Sequence, residues 1–244
     1  VQVEFEHSHT SEAIRARLTQ NPRISYLRDW IYGGIDGVVT TLAVVAGVVG
    51  AELPSMVLLV LGLANLVADG FAMAAASYSG TQAERDDYDR LLAVERRHIA
   101  AVPDGEREEI RQIFAGKGFY GDELELIVAV ITSDDSLWAK TMVVEEYGLA
   151  PTPKSPTLAA LSTFAAFVLC GLIPLVTYLG AGGLVPCMVA TGFVFFAIGA
   201  IKSRWSLTTW WRSGLGTFLI GMSAAALAFS VGFGFRMLFN VSAN

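Results

Sequence analysis

The sequence has little cysteine, histidine or lysine, and beyond Glu146 it has no acidic residue at all. Its two cysteines, Cys170 and Cys187, form no CxxC pair and both fall in apolar runs. That excludes a disulfide framework and a cysteine-ligated zinc module, and leaves small buried hydrophobes. The three histidines, His7, His9 and His98, lie outside every apolar run, so a haem ligated within a membrane is excluded. Only 16% of the residues are charged and the formal net charge is -6, which argues against a nucleic-acid partner. No secretory signal is legible in the first 29 residues, which are polar and charged. Val1 is not an initiator methionine, which leaves room for a further domain upstream.

Long hydrophobic runs are what the chain has instead. It is 53% hydrophobic with a mean hydropathy of +0.51, the composition of a membrane protein. A bilayer core roughly 30 Å thick needs about 20 helical residues. Five runs qualify: Trp30 to Ala51, Pro54 to Ser79, Thr157 to Leu179, Leu184 to Ser203 and Ser213 to Leu238. Each must be a helix, because lipid offers the backbone no hydrogen-bond partner. Of the 17 basic residues, Arg15, Arg17, Arg23 and Arg28 precede the first run, nine lie between Ser79 and Thr157, and Lys202, Arg204 and Arg212 lie near the fourth connection. Only Arg236 falls on the other side. By the positive-inside rule the N-terminus and the middle segment are cytoplasmic and the C-terminus is not. Four lysines against thirteen arginines, with abundant alanine and glycine, suggest a GC-rich bacterial genome and so a bacterial inner membrane.

The expected fold is therefore an all-α integral membrane protein. It has a cytoplasmic tail over 1–29, transmembrane helices one and two over 30–79, a cytoplasmic helical metal-binding insert over 80–156, and transmembrane helices three to five over 157–244. The insert holds 16 acids against 9 bases. Its first part, "QAERDDYDRLLAVERRHI", contains no glycine or proline, so the second span is expected to run on to about Ile99. "VPDG" then breaks it. Further helices are expected from Gly105 to Ala115, across "DELELIVAVIT", and from the capping stretch "TSDDS" to Gly148. Pro151, Pro153 and Pro156 form a stiff link back to the membrane. At about 70 residues the insert is small for an independent core and should be braced by the spans or by a second subunit.

Polar residues inside the spans are the first functional signal. "WIYGGIDGVVTTLAVVAGVVGA" carries Asp36 roughly 9 Å inside the cytoplasmic boundary, with Thr40 one turn deeper on the same face. A carboxylate there is expensive and faces a partner or a water-filled path. Gly33 and Gly37 in the same run form a small-xxx-small pair that permits close helix approach. In the second run, Asn65, Asp69, Met73 and Ser77 recur every four residues and so share one stripe. Counting rises along the two helices puts Met73 at the depth of Asp36, with Asp69 and Asn65 deeper. No lysine or arginine lies in these spans to neutralise the acids. Two carboxylates, an amide oxygen and a thioether call for a cation, and the thioether tilts the choice toward ferrous iron or a similar transition metal.

In the insert three pairs share helix faces: Glu95 with His98, Glu106 with Glu109, and Met142 with Glu146. Carboxylates, an imidazole and a thioether on three helices are the makings of a second transition-metal site. With "YLRDWIYGGIDGVVTTLAVVAGVVGA", "LADGFAMAAASY", "VERRHIAAVPDGEREEI", and "TMVVEEYGL" followed by prolines and "CGLIPL", the chain resembles the vacuolar iron transporters from Tyr26 to its end.

That resemblance implies proton-coupled export of ferrous iron from the cytosol by a homodimer in the lipid bilayer, with a metal path at the two-fold interface lined by the first spans. It implies pathway roles for Asp36 and Met73, and metal-ligand roles for Glu95, Glu106, Glu109, Met142 and Glu146. His98 stands where the family has a glutamate, a change that keeps a ligand but softens it. Asn65 stands where plant-type members have a second pathway glutamate, and Asp69 where a small residue is usual, so the charge is read as moved one turn along the stripe. No tightly bound cofactor is expected; the metal is cargo, and Mn2+, Zn2+ and Co2+ are not distinguished from Fe2+ by the residues. His7 and His9 lie outside the match and read as a disordered tail. An intramembrane aspartyl protease is rejected because "GGID" is not its GxGD pattern and no tyrosine precedes the second aspartate, so no enzyme is expected. The alternative is a non-transporting iron-binding or sensing membrane protein that partners a ferritin-like domain.

Overall fold

The computed structural model describes residues 8–19, 24–151 and 153–239; His7 and Arg23 lie outside them. Among the described residues all regular structure is helical, with no strand. A short α1 (Ser11–Thr19) precedes α2 (Leu27–Gly50) and a long α3 (Ser55–Ala101). Then come α4 (Pro103–Gly116), α5 (Gly121–Ile131), α6 (Asp135–Tyr147), α7 (Pro156–Ala181), α8 (Leu184–Lys202) and α9 (Trp210–Phe239). Five of them, α2, α3, α7, α8 and α9, are long and apolar enough to cross a membrane. They coincide with the five expected runs to within three residues at every end except the C-terminal end of α3, where the helix runs on to Ala101, close to the expected Ile99.

The N-terminal tail differs from expectation in holding α1. Thr10 supplies the reason: its hydroxyl accepts from the Ala13 amide at 3.4 Å and its carbonyl from the Ile14 amide, while Glu12 and Arg17 suit the helix dipole. No residue of α1 is buried. His9 lies just before it.

Helix α2 is the centre of the membrane bundle. It buries Ile31, Val38, Leu42, Val45 and Val48 against α7, α9 and α3. Gly33 and Gly37 make this possible, since a Cβ on either would stand 2.3 Å from the carbonyl oxygen of Thr163 or Phe167 in α7. The small-xxx-small pair is thus used within one chain. On the opposite side α2 crosses α9 just as closely, where a Cβ on Gly232 would meet the Gly47 carbonyl at 2.2 Å. Arg236 in α9 pairs with Glu52 at the same end of the bundle.

The 47 residues of α3 span roughly 70 Å at 1.5 Å each, more than twice a bilayer core of about 30 Å. Its first half faces outward with Met56, Val60, Leu63, Val67 and Phe71 exposed, a surface suited to lipid. Its second half carries the insert. There α4 starts at Pro103, where a missing amide is harmless, so "VPDG" begins a helix instead of forming a longer break. Asp134 caps α6 by accepting from the Ser136 and Leu137 amides, and Gly148 ends it in the left-handed region at φ 68°. Ile99, Ile110, Leu124, Val128, Ile131, Trp138 and Met142 form a separate apolar core. Arg111 bridges α4 to Glu125 of α5, and Lys117 pairs with Glu145 of α6. Helices α4 to α6 touch one another and α3 but none of the other spans, so within one chain the insert is braced by α3.

The link from α6 to α7 is pinned to the start of α2. Lys154 Nζ lies 2.7 Å from Asp29 Oδ1, the Ser155 amide donates to the Tyr26 hydroxyl at 3.0 Å, and the Ser162 hydroxyl donates to the Tyr26 carbonyl.

Replacing Gly37 by Val should push α2 off α7 and lower the midpoint of thermal unfolding in detergent, by an amount equivalent to about 1–3 kcal/mol or more. Gly216→Ala, where an added Cβ meets nothing within 4 Å, should leave the midpoint unchanged. Equal melting of the two variants would contradict the packing described.

Candidate cation pathway and metal-binding cluster

Within the bundle one stripe of α2 is not fully covered by other helices. Tyr32 is exposed, and Ile35, Asp36, Val39, Thr40 and Ala43 are half-buried. Beside it runs the stripe of α3, on which Asn65, Asp69, Met73 and Ser77 are all half-buried. Two contacts set the antiparallel register. Asn65 Nδ2 donates to Thr40 Oγ1 at 3.3 Å, and the Ser77 hydroxyl meets Asp29 Oδ1 at 3.5 Å. This register puts Asp69, and not Met73, opposite Asp36. The two carboxylates are level and near enough for their charges to repel. Met73 falls one turn nearer the insert, where it lines a cavity of about 360 Å³ with Asp29, Tyr32 and Ser77. The count of rises missed this because the α2–α3 turn and the entry angle of α3 decide the register. Thr40 also donates to the Asp36 carbonyl at 2.9 Å, which leaves its oxygen free to accept from Asn65.

The second constellation lies in the insert. Glu95 and His98 on α3 and Glu106 on α4 bring one ligand atom each within 4.8 Å of one another, with His98 Nδ1 3.6 Å from Glu106 Oε1. Pro103 turns the chain back so tightly that the first turn of α4 faces the last two turns of α3. Glu95 is 1% exposed and Glu106 6%, yet Glu95 Oε2 and Glu106 Oε2 have no hydrogen-bond partner. Two buried carboxylate oxygens without donors are what a cation would satisfy. Burial first, then the charges of Glu109 and Glu95, push the Glu106 carboxyl up from 4.5 to about 7; His98 opposes this, and Glu146 adds to it. Glu109 and Glu146 are exposed and act on Glu106 at that distance. Met142 is completely buried within the apolar core of the insert. The spacing pairs are therefore split: Glu95 and His98 meet, Glu106 joins them across helices, Glu109 and Glu146 act on Glu106 through their charge, and Met142 belongs to the apolar core.

Three residues escaped the sequence reading. Tyr147, next to Glu146, donates its hydroxyl to Glu95 Oε1 at 3.1 Å; burial, followed by the Glu95 charge, raises its own ionisation. Asp29 and Lys154, 125 residues apart, form a part-buried ion pair at the start of α2. Acid at the first turn of a helix was the only available hint for Asp29. Nothing in the proline-rich link marked Lys154.

Five helices long and apolar enough to cross a membrane, level carboxylates with no base between them, and two buried carboxylates beside an exposed imidazole mark an integral membrane protein with the side chains to hold cations. The sequence pattern of the VIT family matches residues 27–233, and the chain belongs to that family. Its members are transporters and not enzymes, and the same holds for this chain. It is similar to "Vacuolar iron transporter 1" of Arabidopsis thaliana, 32% identical over 208 residues that cover 83% of each chain. It is likewise 32% identical to "Vacuolar iron transporter" of Centaurea cyanus over 210 residues, 84% of this chain and 86% of that one. A "Vacuolar iron transporter" of Toxoplasma gondii is 33% identical over 163 residues, 66% of this chain and 54% of its own.

The raised Glu106 carboxyl fixes a pH dependence. A proton on Glu106 is favoured by the fold, so its contribution to the stability of the metal-free insert is complete below about pH 4.5 and is lost as pH rises through about 7. A divalent ion held by Glu106 would require the ionised form and would reverse that loss. Titration of Mn2+ or Co2+ should therefore give weaker binding at about pH 6 than at about pH 8. The thermal stabilisation by metal should grow over the same interval, and a flat profile would remove Glu106 from the ligand set.

Proposed function

We propose that this chain is a proton-coupled transporter that carries ferrous iron out of the cytosol, working as a homodimer in a bacterial inner membrane with its N-terminus and its helical insert on the cytoplasmic side. The observation that carries this reading is the level pair Asp36 and Asp69 on a stripe left partly uncovered by the rest of the chain. Charged side chains facing lipid are unstable there, and a second copy packed over the stripe would enclose them in a path between the two first spans. The distribution of basic residues supports the sidedness. The printed names of the relatives support iron as cargo.

In this mechanism the insert captures the ion from the cytosol at Glu95, His98 and Glu106, with Glu109 and Glu146 supplying the surrounding negative field and Met142 and Tyr147 shaping the site. The ion then enters the membrane past Met73, whose soft sulfur favours a first-row transition metal over magnesium or calcium. At Asp36 and Asp69 it exchanges part of its hydration shell for carboxylate oxygens, with Thr40 and Asn65 beside them. Protons arriving from the far side compete for the same oxygens, and protonation removes the charge that holds the metal. Metal leaves as protons enter, which is antiport.

The test is ferrous-ion flux into proteoliposomes under an imposed pH gradient. Wild type should show gradient-dependent flux and Asp36→Asn should lose it, while Glu106→Ala with Glu109→Ala should slow uptake at low metal concentration without abolishing it. Equal gradient-dependent flux in wild type and Asp36→Asn would turn Asp36 into a packing residue. No gradient-dependent flux in either would make the chain a non-transporting iron-binding membrane protein.

A further inference from the structure

Asp29 is held as no other carboxylate among the described residues is. It is 8% exposed, in the first turn of α2, and lines the cavity of about 360 Å³ between α2, α3 and the start of α7. One oxygen, Oδ1, accepts from Lys154 Nζ at 2.7 Å and faces the Ser77 hydroxyl at 3.5 Å. The other, Oδ2, is buried without a partner. The remaining charged groups lining the cavity are Arg28 and Glu84. Arg28 is turned onto the ring of Tyr32, 5.4 Å from its centroid, and Glu84 is exposed. Met73 and Ser77 complete a lining that offers sulfur and hydroxyl donors beside the carboxylate.

We propose that Asp29 is a cation-binding station between the insert and the Asp36–Asp69 pair, and that Lys154 is a tethered cation that occupies it until a divalent transition-metal ion displaces the ammonium. The proposal deepens the transport reading and rests on it for the direction of travel. A divalent ion can use both Asp29 oxygens together with donors from Met73 and Ser77, whereas the ammonium reaches only one oxygen of the carboxylate. Lys154 keeps the buried charge compensated when no metal is present, since an unpaired carboxylate at that depth destabilises the fold. Because Lys154 belongs to the link between α6 and α7, its displacement removes one of the three contacts that pin this link to the start of α2 and leaves the Ser155 and Ser162 bonds to Tyr26 in place.

The experiment is Mn2+ titration of the full chain in detergent, followed by electron paramagnetic resonance, in a Glu95→Gln/Glu106→Gln background that removes the insert cluster. Lys154→Gln should tighten Mn2+ binding roughly tenfold by removing the competing ammonium. Asp29→Asn/Lys154→Gln, which keeps the side-chain volumes but carries no charge, should lose that gain. If Asp29→Asn alone fails to fold, the neutral pair still reads the site. Equal Mn2+ affinity in Lys154→Gln and the neutral pair would overturn the proposal, as would a change confined to thermal stability, which would make the ion pair a structural tie only. Absence of gradient-driven flux in the wild type would overturn the transport reading alone, because the Mn2+ comparison does not depend on flux.

Discussion

A carboxylate removed from water must be neutralised, paired or offered a cation, and this chain resolves that constraint differently at three levels. At the start of α2 a lysine from the same chain sits on Asp29. One step deeper, Asp36 and Asp69 face each other with no base between them. In the insert, Glu95 accepts from the Tyr147 hydroxyl and Glu106 pairs with His98, but each keeps one oxygen without a donor. Negative charge is thus most compensated at the membrane mouth and least compensated on either side of it. Under the proposed transport, a cation moving from insert to membrane would pass from one unsatisfied site to another across a site that already holds a counter-ion.

Two structural devices keep these groups in place. Glycines along α2 let it approach α7 and α9 at backbone contact distance, which makes α2 the most enclosed span and fixes how its polar stripe is presented. Unbroken helix from Ser55 to Ala101 then transmits that position outward, since α3 supplies both the membrane stripe and two of the three clustered insert ligands. The sequence marks this strut by omission: only glycines that pack or face open space interrupt it, and no proline appears until Pro103.

Hydrophobic run length was sufficient for the five spans, and the placement of glycine, proline and capping residues for the helices of the insert. These properties are local, because lipid demands that each segment satisfy its own backbone. A spacing of four likewise sufficed for the α3 stripe, and one of three for Glu95 with His98. Relations between helices were not legible. The opposition of Asp36 and Asp69, the use of Gly33 and Gly37 within one chain, the joining of Glu106 to Glu95 and His98, and the burial of Met142 in the insert core all depend on register and crossing angle.

What the sequence by itself determined is the inventory: which segments lie in lipid, which side chains there are costly, and which donors are available for a metal. Tertiary structure alone decided which of them meet. Asp29 and Lys154 show why, for they are separated by 125 residues and neither is unusual in its own neighbourhood. Their pairing exists only because α7 returns beside α2 and brings its leading link across the cavity mouth, a consequence of helix packing that no local pattern encodes.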